Sequence, residues 1–220
     1  MRNENLMTMS LFEPEEDSGN LELGPDAAVL CGFALPSENL LTDLEAVIAQ
    51  APFRNMVTPG GHEMSVAMSN CGHLGWISDR KGYRYERTDP LTKHLWPRMP
   101  DSFGNLALRA AAAAGFADFQ PDACLINRYV PGAKLSLHQD RNERDFSNPI
   151  VSVSLGLSAT FLFGGMERSD KTKRIQVQHG DVVVWGGTAR LRYHGVQPLK
   201  QGWHRALGSV RVNLTFRKAG

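Results

Sequence analysis

The feature that most restricts the fold of this chain is the regular alternation of short strand-like runs and turn sequences in residues 123–217. Short apolar or alternating runs recur there, and turn sequences such as Pro131-Gly132, Gly164-Gly165 and Gly186-Gly187 separate them. Runs of this kind, bounded by glycine and proline, are typical of β-strands. About eight strands at this spacing predict a double-sheet sandwich or jelly roll. The predicted strands are 123–130, 134–139, 150–157, 160–163, 174–178, 182–185, 192–194 and 206–216.

Two stretches upstream have helical periodicity. Residues 37–51 repeat leucine, valine and isoleucine every three or four positions after Ser37, which is the predicted N-cap. Residues 101–114 carry an alanine run that ends at Gly115. We expect both helices to pack outside the sandwich. The segment 58–100 between them is too long for an idle loop, so we expect it to be a functional element or a small hairpin subregion.

Composition excludes several classes of protein. The 220 residues carry 24 basic and 23 acidic side chains, which excludes a strongly basic wrapping protein but not a local basic groove. Cys31, Cys71 and Cys124 are odd in number and unclustered, so we expect reduced thiols in a cytoplasmic protein. Residues 1–20 are acidic and lack the apolar core of a secretion signal, so we expect a flexible tail. We also expect no membrane segment, because no apolar run approaches about 20 residues.

A candidate metal site begins at His138-Gln139-Asp140. Residues two apart on a strand point to the same face, so the imidazole and the carboxylate can reach one point. His194, after a later turn, is the candidate third ligand. Two histidines and one carboxylate leave three coordination positions open, which is typical of non-haem Fe(II) oxygenases, whereas zinc prefers four ligands. The short motif alone leaves open an ordinary surface pair at a strand end.

The last predicted strand carries an unusual pattern. Its sequence RVNLTFR alternates strictly, so the apolar side chains face one side and Arg211 and Arg217 face the other. If the polar face lines the interior of a jelly roll, the arginines require anions, and a guanidinium matches a dicarboxylate ligand. An ordinary solvent-facing edge strand is the alternative. Together with the candidate ligands, the pattern favours an iron and 2-oxoglutarate site. An upstream strand adds a second shared face, formed by Leu125, Asn127 and Tyr129.

These motifs lie within longer runs that resemble one family. The chain resembles the bacterial AlkB nucleic-acid repair dioxygenases in a single register over residues 21–218. The resemblance implies a mainly β fold with flanking helices, the double-stranded β-helix (jelly roll), with an N-terminal nucleotide-recognition lid. It divides one structural domain into residues 21–122, an N-terminal extension and lid, and residues 123–220, the dioxygenase core. The runs that carry it are NRYVPGAKLSLHQD, PIVSVSLGL, HGDVVVWGG, YHGVQPL and RVNLTFR, with PFRNMVTPGGHEMSVAMSNCGHLGW and QPDACLINRY upstream.

The resemblance implies roles for the candidate residues in cofactor binding. Fe(II) would be held by His138, Asp140 and His194, and 2-oxoglutarate and O₂ would take the remaining positions. The distal carboxylate of 2-oxoglutarate would be held by Arg211. The other implied cofactor-binding positions are Leu125, Asn127, Tyr129, Asn213 and Arg217, and Arg217 is also placed in the catalytic group.

The resemblance likewise implies where substrate binds. The damaged base would stack on Trp76 in the lid and against His138. Aromatic residues of the lid alternate with basic ones, and such interleaving holds single strands and extruded bases. A base methylated on a ring nitrogen is cationic, so the Trp76 face would add attraction of roughly 0.5–2 kcal/mol. The further positions implied in substrate contact are Tyr83, Arg84, Tyr85 and Arg168.

One position departs from the family's pattern. Two residues after Asp140 the family typically has an acid that reaches the exocyclic nitrogen of the damaged base, and this chain has Asn142. An amide accepts a hydrogen bond but does not neutralise a cation. We therefore expect a weaker preference for cationic 1-methyladenine and 3-methylcytosine, and relatively better tolerance of neutral etheno adducts.

The activity implied is oxidative dealkylation repair of N-alkylated bases in single- or double-stranded DNA, with RNA left open. It would consume 2-oxoglutarate and O₂ at Fe(II) and release formaldehyde, succinate and CO₂. One alternative is a 2-oxoglutarate oxygenase that acts on a protein or a small molecule, which would have no use for Trp76 and its neighbouring tyrosines. The other is a non-catalytic binder of damaged strands, which the intact ligand set disfavours. We expect a monomer.

Overall fold

Fourteen strands and two α-helices make up residues 19–220, which are the residues that the computed structural model describes. Most of the expected tail, residues 1–18, lies outside the described residues. The helices are α1 (Glu38–Gln50) and α2 (Asp101–Ala113). The strands are β1 (Leu21–Gly24), β2 (Ala27–Leu30), β3 (Arg54–Val57), β4 (Glu63–Gly72), β5 (Gly75–Asp79), β6 (Gly82–Glu86), β7 (Ala123–Tyr129), β8 (Leu135–His138), β9 (Ile150–Gly156), β10 (Ala159–Phe163), β11 (Lys173–Val177), β12 (Val182–Trp185), β13 (His194–Val196) and β14 (Arg211–Arg217).

The strands form two sheets and a separate hairpin. The eight-stranded sheet has the order β1-β2-β12-β9-β14-β7-β4-β3, and the four-stranded sheet has the order β11-β10-β13-β8. In the described part of the chain, strands β5 and β6 pair only with each other. Two antiparallel sheets with helices outside are the architecture that the strand spacing predicts, so the jelly roll is confirmed.

The alternation of β14 sets the two faces of the large sheet. Val212, Leu214 and Phe216 belong to the core under the helices, where each large apolar side chain contributes about 1.5–3 kcal/mol of burial free energy. Arg211 and Arg217 lie on the opposite face, and both line an internal cavity. The whole strand is buried: its apolar face shares a core with the helices, and residues of both sheets enclose the cavity on its polar face.

Both predicted helices are present and pack on the large sheet. Helix α2 buries five residues, three of them alanines, whose small side chains let the helix lie close to β9 and β12. Ser37 is the N-cap residue of α1, as predicted, but its side chain makes no capping hydrogen bond. Its hydroxyl instead contacts Nε2 of His179 at 2.9 Å, so a tertiary partner displaces the local one.

The N-terminal half adds four strands to the large sheet, outside the predicted strand region 123–217. Strands β1 and β2 extend one end of the large sheet beside β12, and β3 and β4 extend the other end beside β7. The boundary at residue 122 stays a prediction, although β4 and β7 lie side by side. The strand predicted over 206–216 begins only at Arg211, because His204 and Gly208 close a turn with paired backbone hydrogen bonds. Within residues 19–220, no helix has both the length and the apolarity that crossing a membrane requires.

Candidate active site

His138 and His194 are direct cross-strand partners on β8 and β13. Gly195 permits this close pairing, because a Cβ at that position would lie 2.7 Å from the carbonyl oxygen of Leu135. The two imidazole rings lie 4.4 Å apart between centroids. Asp140 follows β8 and directs one carboxylate oxygen to Nε2 of each ring, at 3.6 Å and 3.7 Å. The ligand atoms of all three side chains lie within 4.8 Å of one another.

Backbone carbonyls fix which nitrogen each imidazole presents. Nδ1 of His138 lies 2.8 Å from the carbonyl oxygen of Ser136, and Nδ1 of His194 lies 3.0 Å from that of Arg192. A carbonyl oxygen only accepts hydrogen bonds, so Nδ1 carries the proton in the neutral ring. The lone pair of Nε2 is then directed at Asp140, which is the arrangement of a metal-binding histidine.

Burial and charge keep the ligand groups in their metal-binding forms. Burial, with the nearby His138 ring, lowers the pKa of His194 to about 3, so this imidazole is neutral at neutral pH. Burial alone would raise the pKa of Asp140, but the Arg217 guanidinium and the two imidazoles outweigh it and hold that pKa below its usual value. A neutral imidazole and an ionised carboxylate are the forms that metals require.

Arg211 is a buried cation with unused hydrogen-bonding capacity. Only 2% of the residue is exposed, and Nη2 donates to the Ser154 hydroxyl at 2.9 Å. Nε and Nη1 are buried without a hydrogen-bond partner among the described residues. Burial lowers the pKa of Arg211 to about 10, which still leaves it charged at neutral pH. Such a group is costly unless it meets an anion, so the site fits a carboxylate ligand.

The other side chains of this wall differ in what they can offer a ligand. The Asn127 side-chain oxygen is buried without a partner among the described residues. Asn213 uses both amide hydrogens on the Ser152 hydroxyl and the Val153 carbonyl, at 2.8 and 2.9 Å, so it braces the wall. Burial raises the pKa of Tyr129 to about 12, which keeps its phenol protonated as a donor.

Arg217 lines the cavity and also contacts one of the candidate metal ligands. Its Nη2 and Nε donate to Oδ2 of Asp140 at 2.6 and 3.0 Å. Its Nε also lies 3.3 Å from Oε1 of Glu143. Arg217 therefore orients a carboxylate that the sequence assigns to iron, and its expected contact with 2-oxoglutarate stays a prediction.

A single cavity of about 630 Å³ joins the ligand cluster to the lid. Trp76 on β5 and Tyr83 on β6 stack with their ring centroids 5.6 Å apart and their planes 14° apart. The Trp76 indole N–H donates to the Asn142 side-chain oxygen at 3.2 Å. Of the residues that the sequence singled out, those lining the cavity are Trp76, Tyr83, Leu125, Asn127, Tyr129, His138, Asp140, Asn142, Arg168, His194, Arg211, Asn213 and Arg217.

Two of the expected substrate residues are not brought to this lining. Arg84 lies on the other face of the hairpin, where it pairs with Asp79 at 2.9 Å and with Glu86 at 2.8 Å. Tyr85 lies on the inner face but donates its hydroxyl to Glu143 at 2.6 Å. The alternation of β6 explains the difference, because Tyr83 and Tyr85 share one face and Arg84 takes the opposite one.

Asn70 is a residue of this site that sequence reasoning missed. It is fully buried on β4, and its side chain bonds both backbone groups of Trp76. The Trp76 N–H donates to Asn70 Oδ1 at 2.9 Å, and Asn70 Nδ2 donates to the Trp76 carbonyl at 3.0 Å. A side chain of the large sheet thus holds the backbone of the stacking tryptophan in place. An asparagine six residues before a tryptophan gives no sequence signal of such a contact.

Comparisons with known proteins agree with this geometry. A family model described as the 2OG-Fe(II) oxygenase superfamily matches residues 26–217. The chain is 61% identical over 199 residues to the alpha-ketoglutarate-dependent dioxygenase AlkB of Escherichia coli (strain K12), covering 90% of this chain and 92% of that protein. It is 35% identical over 123 residues to the nucleic acid dioxygenase ALKBH1 of Homo sapiens, covering 56% of this chain and 31% of that protein.

Structural similarity points the same way. The solved structure of OsALKBH1 matches with a TM-score of 0.78 at 27% identity, covering 90% of this chain and 99% of that chain. A more remote match, a 2OG-Fe(II) oxygenase family oxidoreductase from Burkholderia pseudomallei at 16% identity, shares the fold with a TM-score of 0.54. The sheet topology, the histidine and aspartate cluster and the length of the sequence match together place this chain in the AlkB family of the 2OG-Fe(II) oxygenase superfamily.

Proposed function

We propose that this enzyme oxidatively removes alkyl groups from the ring nitrogens of nucleic-acid bases, with Fe(II), 2-oxoglutarate and O₂. The observation that carries the proposal is one cavity with three parts. A neutral-imidazole and carboxylate cluster lies between a buried, unsatisfied guanidinium and an aromatic stack. The first two parts serve a metal and a dicarboxylate, and the third serves a planar base.

The residues present fit the cofactors. His138, Asp140 and His194 would hold Fe(II) and leave positions open for 2-oxoglutarate and O₂. Arg211 would bind the distal carboxylate with the Nε and Nη1 hydrogens, which have no other partner within residues 19–220, and the Tyr129 phenol lies on the same wall. When bound, iron and 2-oxoglutarate supply the activation of O₂ that oxidises the alkyl carbon.

The lid side of the cavity supports a nucleic-acid base as the substrate. Trp76 and Tyr83 offer parallel aromatic faces, and stacking on such faces contributes about 1–3 kcal/mol per base. Arg168 lies at the rim and provides a cation for a phosphate. The chain's own contribution to catalysis is to hold the alkyl group beside the metal ligands and to exclude water around it.

Asn142 bears on which damaged bases are preferred. Its side-chain oxygen already accepts a hydrogen bond from Trp76, and the amide has no charge to match a cationic base. We infer that the preference for cationic 1-methyladenine and 3-methylcytosine over neutral etheno adducts is weaker in this enzyme than it would be with an acid at this position. The proposed substrate is alkylated DNA, in single or double strands. Alkylated RNA is compared with it in the assay described below.

The proposed setting is a monomer in a reducing compartment such as the cytoplasm. Cys31, Cys71 and Cys124 are free thiols, and the last two are buried, which supports a reducing compartment.

The test measures formaldehyde and succinate from a single-stranded oligonucleotide that carries one 1-methyladenine. An oxidised N-methyl carbon is lost as formaldehyde while 2-oxoglutarate becomes succinate and CO₂, so the two products should form in equal amounts. Both should disappear without Fe(II), without 2-oxoglutarate, and in an Asp140→Ala variant. The same assay on methylated RNA compares the two nucleic acids.

A second variant separates nucleic-acid repair from other oxygenase activities. Trp76→Ala should lose formaldehyde release from the oligonucleotide, whereas Trp203→Ala, a matched change at a 78% exposed tryptophan, should not. Equal turnover by Trp76→Ala and wild type would favour an oxygenase acting on a protein or a small molecule. Absence of both products from folded, iron-loaded protein would overturn the proposed function.

A further inference from the structure

Glu143 is a buried acid to which neither the sequence nor the proposed reaction gives a role. Only 2% of its side chain is exposed. Three groups surround its carboxylate: the Tyr85 hydroxyl at 2.6 Å, Arg217 Nε at 3.3 Å and Arg190 Nη2 at 3.1 Å. A buried carboxylate with two guanidiniums and a phenol is expensive to assemble, so its contacts indicate what it organises.

Both arginines also hold Asp140. Arg217 donates to the Asp140 carboxylate through Nη2 and Nε, at 2.6 and 3.0 Å. Arg190 Nη1 donates to the backbone carbonyl of Asp140 at 2.8 Å. Arg217 therefore binds the side chain of the candidate iron ligand and Arg190 binds its backbone, and both arginines also contact Glu143.

Charge in this cluster is balanced between two carboxylates and two guanidiniums. Arg190 and Arg217 have side-chain exposures of 3% and 6%, so solvent does not screen them effectively. Without the charge of Glu143, Arg217 would keep only the Asp140 carboxylate as its ion-pair partner, and Arg190 would lose the buried carboxylate that holds it beside the Asp140 backbone. The orientation of Asp140, with one oxygen towards each ligand histidine, would then no longer be fixed.

Tyr85 connects the cluster to the lid. It lies on β6 directly opposite Trp76 on β5, so the hairpin that carries the stacking tryptophan is anchored by this hydroxyl. Burial raises the pKa of Tyr85 well above its ordinary value, which keeps the hydroxyl protonated as a donor. One carboxylate thus receives a contact from the base-stacking hairpin and contacts from both residues that orient the metal ligand.

We propose that Glu143 is a positioning residue that joins the lid hairpin to the iron ligand Asp140, through Tyr85 on one side and Arg217 and Arg190 on the other. The inference rests on the proposed function, because it assigns Asp140 to a metal. It adds a residue that touches neither metal nor substrate but sets the geometry of both binding regions. Substitution of residues that orient metal ligands typically weakens metal affinity by about 10- to 100-fold.

The first measurement is metal affinity, with Mn(II) as the probe and 2-oxoglutarate present. Free Mn(II) is counted by electron paramagnetic resonance, so the readout does not depend on turnover. We expect Glu143→Gln to weaken Mn(II) binding by about tenfold or more. Glu45→Gln, which makes the same change on the exposed face of α1, should bind as wild type does. Loss of global stability alone would not change the affinity of the folded protein.

The second measurement is amide hydrogen exchange in the β5–β6 hairpin. Tyr85→Phe removes only the hydroxyl, so we expect faster exchange across residues 75–86 and little change in Mn(II) affinity. Glu143→Gln should accelerate exchange both there and across residues 138–143. If Glu143→Gln does not fold, Tyr85→Phe decides, because unchanged hairpin exchange in that variant would overturn the inference.

The two proposals fail in different ways. If wild-type protein binds no Mn(II), the proposed function fails together with this inference. If wild type binds Mn(II) and the folded Glu143→Gln variant binds it equally well, only the positioning role of Glu143 is overturned, and the assignment of the metal ligands stands.

Discussion

Arg211 and Ser154 are joined by a hydrogen bond from guanidinium Nη2 to the serine hydroxyl at 2.9 Å, inside the space between the two sheets. The other two guanidinium nitrogens are buried and have no hydrogen-bond partner among residues 19–220. The serine is neutral and does not compensate the charge. This pairing leaves a directed, unsatisfied cation on one wall of the cavity, which is why we assign a dicarboxylate to it.

Replacing the guanidinium tests this assignment. For Arg211→Gln we expect the dissociation constant of 2-oxoglutarate to rise about 10- to 100-fold, because hydrogen bonds to charged groups contribute about 1.5–3 kcal/mol. The free energy of unfolding should not fall, since the change removes an unpaired buried charge. Calorimetric titration of 2-oxoglutarate into Mn(II)-loaded protein measures the affinity, with Arg174→Gln on the exposed face of β11 as control. Equal affinities in all three proteins would refute the assignment.

Asn142→Asp should change lesion preference rather than overall activity. A carboxylate there would still accept the Trp76 indole hydrogen and would add attraction for a cationic base. Charge-assisted hydrogen bonds are roughly twice as strong as neutral ones, so we expect turnover of 1-methyladenine relative to an etheno adduct to rise about fivefold. Competition between the two lesions in one reaction gives this ratio directly, and an unchanged ratio would contradict the role of Asn142.

Asn70→Ala should weaken the attachment of the lid hairpin to the large sheet. The variant loses both hydrogen bonds to the backbone of Trp76, each contributing about 0.5–1.5 kcal/mol. We expect the free energy of unfolding to fall by about 1–3 kcal/mol and the KM for methylated oligonucleotide to rise, while the KM for 2-oxoglutarate stays constant. Denaturant unfolding and steady-state kinetics measure these quantities, and Asn39→Ala on exposed α1 is the control. Equal increases in both KM values would mean that Asn70 does not act through the lid.

His179 should make the stability of the fold dependent on pH. Its Nδ1 accepts the backbone N–H of Gly156 at 2.9 Å, and protonation of Nδ1 would break that bond. Burial lowers the pKa of His179, with His204 and Arg205 adding repulsion against weak attraction from Glu38. The unfolded chain therefore binds the proton more readily, so this stabilisation is present above pH about 6.5 and declines as the pH falls below it.

The comparison that isolates this effect is the free energy of unfolding of wild type and His179→Gln between pH 8 and pH 5. The difference between the two proteins should be largest at the alkaline end and should shrink towards pH 5. A difference that is constant with pH would show that His179 does not change its protonation on unfolding.

The sequence predicted those parts of the site that depend on strand alternation. The period of two in β14 separates Arg211 and Arg217 from the apolar face, and the same rule aims His138 and Asp140 at one point. Hairpin register explains why Arg84 does not line the cavity: its side chain takes the face of β6 opposite to that of Tyr83 and Tyr85. A contact of Arg84 with substrate stays a prediction.

Contacts between distant segments had no local pattern to reveal them. Glu143 and Arg190 lie in irregular segments, and their ion pair forms only because the fold brings a loop after β8 against the turn after β12. Asn70 lies within a strand whose neighbours give no sign of its bonds to Trp76. Strands β1 and β2 are short, and their addition to the large sheet, through the pairing of β2 with β12, is stabilised by tertiary packing rather than by their own propensity.

The most direct test of the central claim is the mass of a methylated oligonucleotide after incubation with the protein, Fe(II), 2-oxoglutarate and O₂. The claim requires that wild type replace one methyl group of 1-methyladenine with hydrogen, which lowers the mass. It also requires that His194→Ala, which lacks one metal ligand, leave the mass unchanged. An unaltered oligonucleotide with folded, metal-loaded wild type, or equal demethylation by His194→Ala, would contradict it.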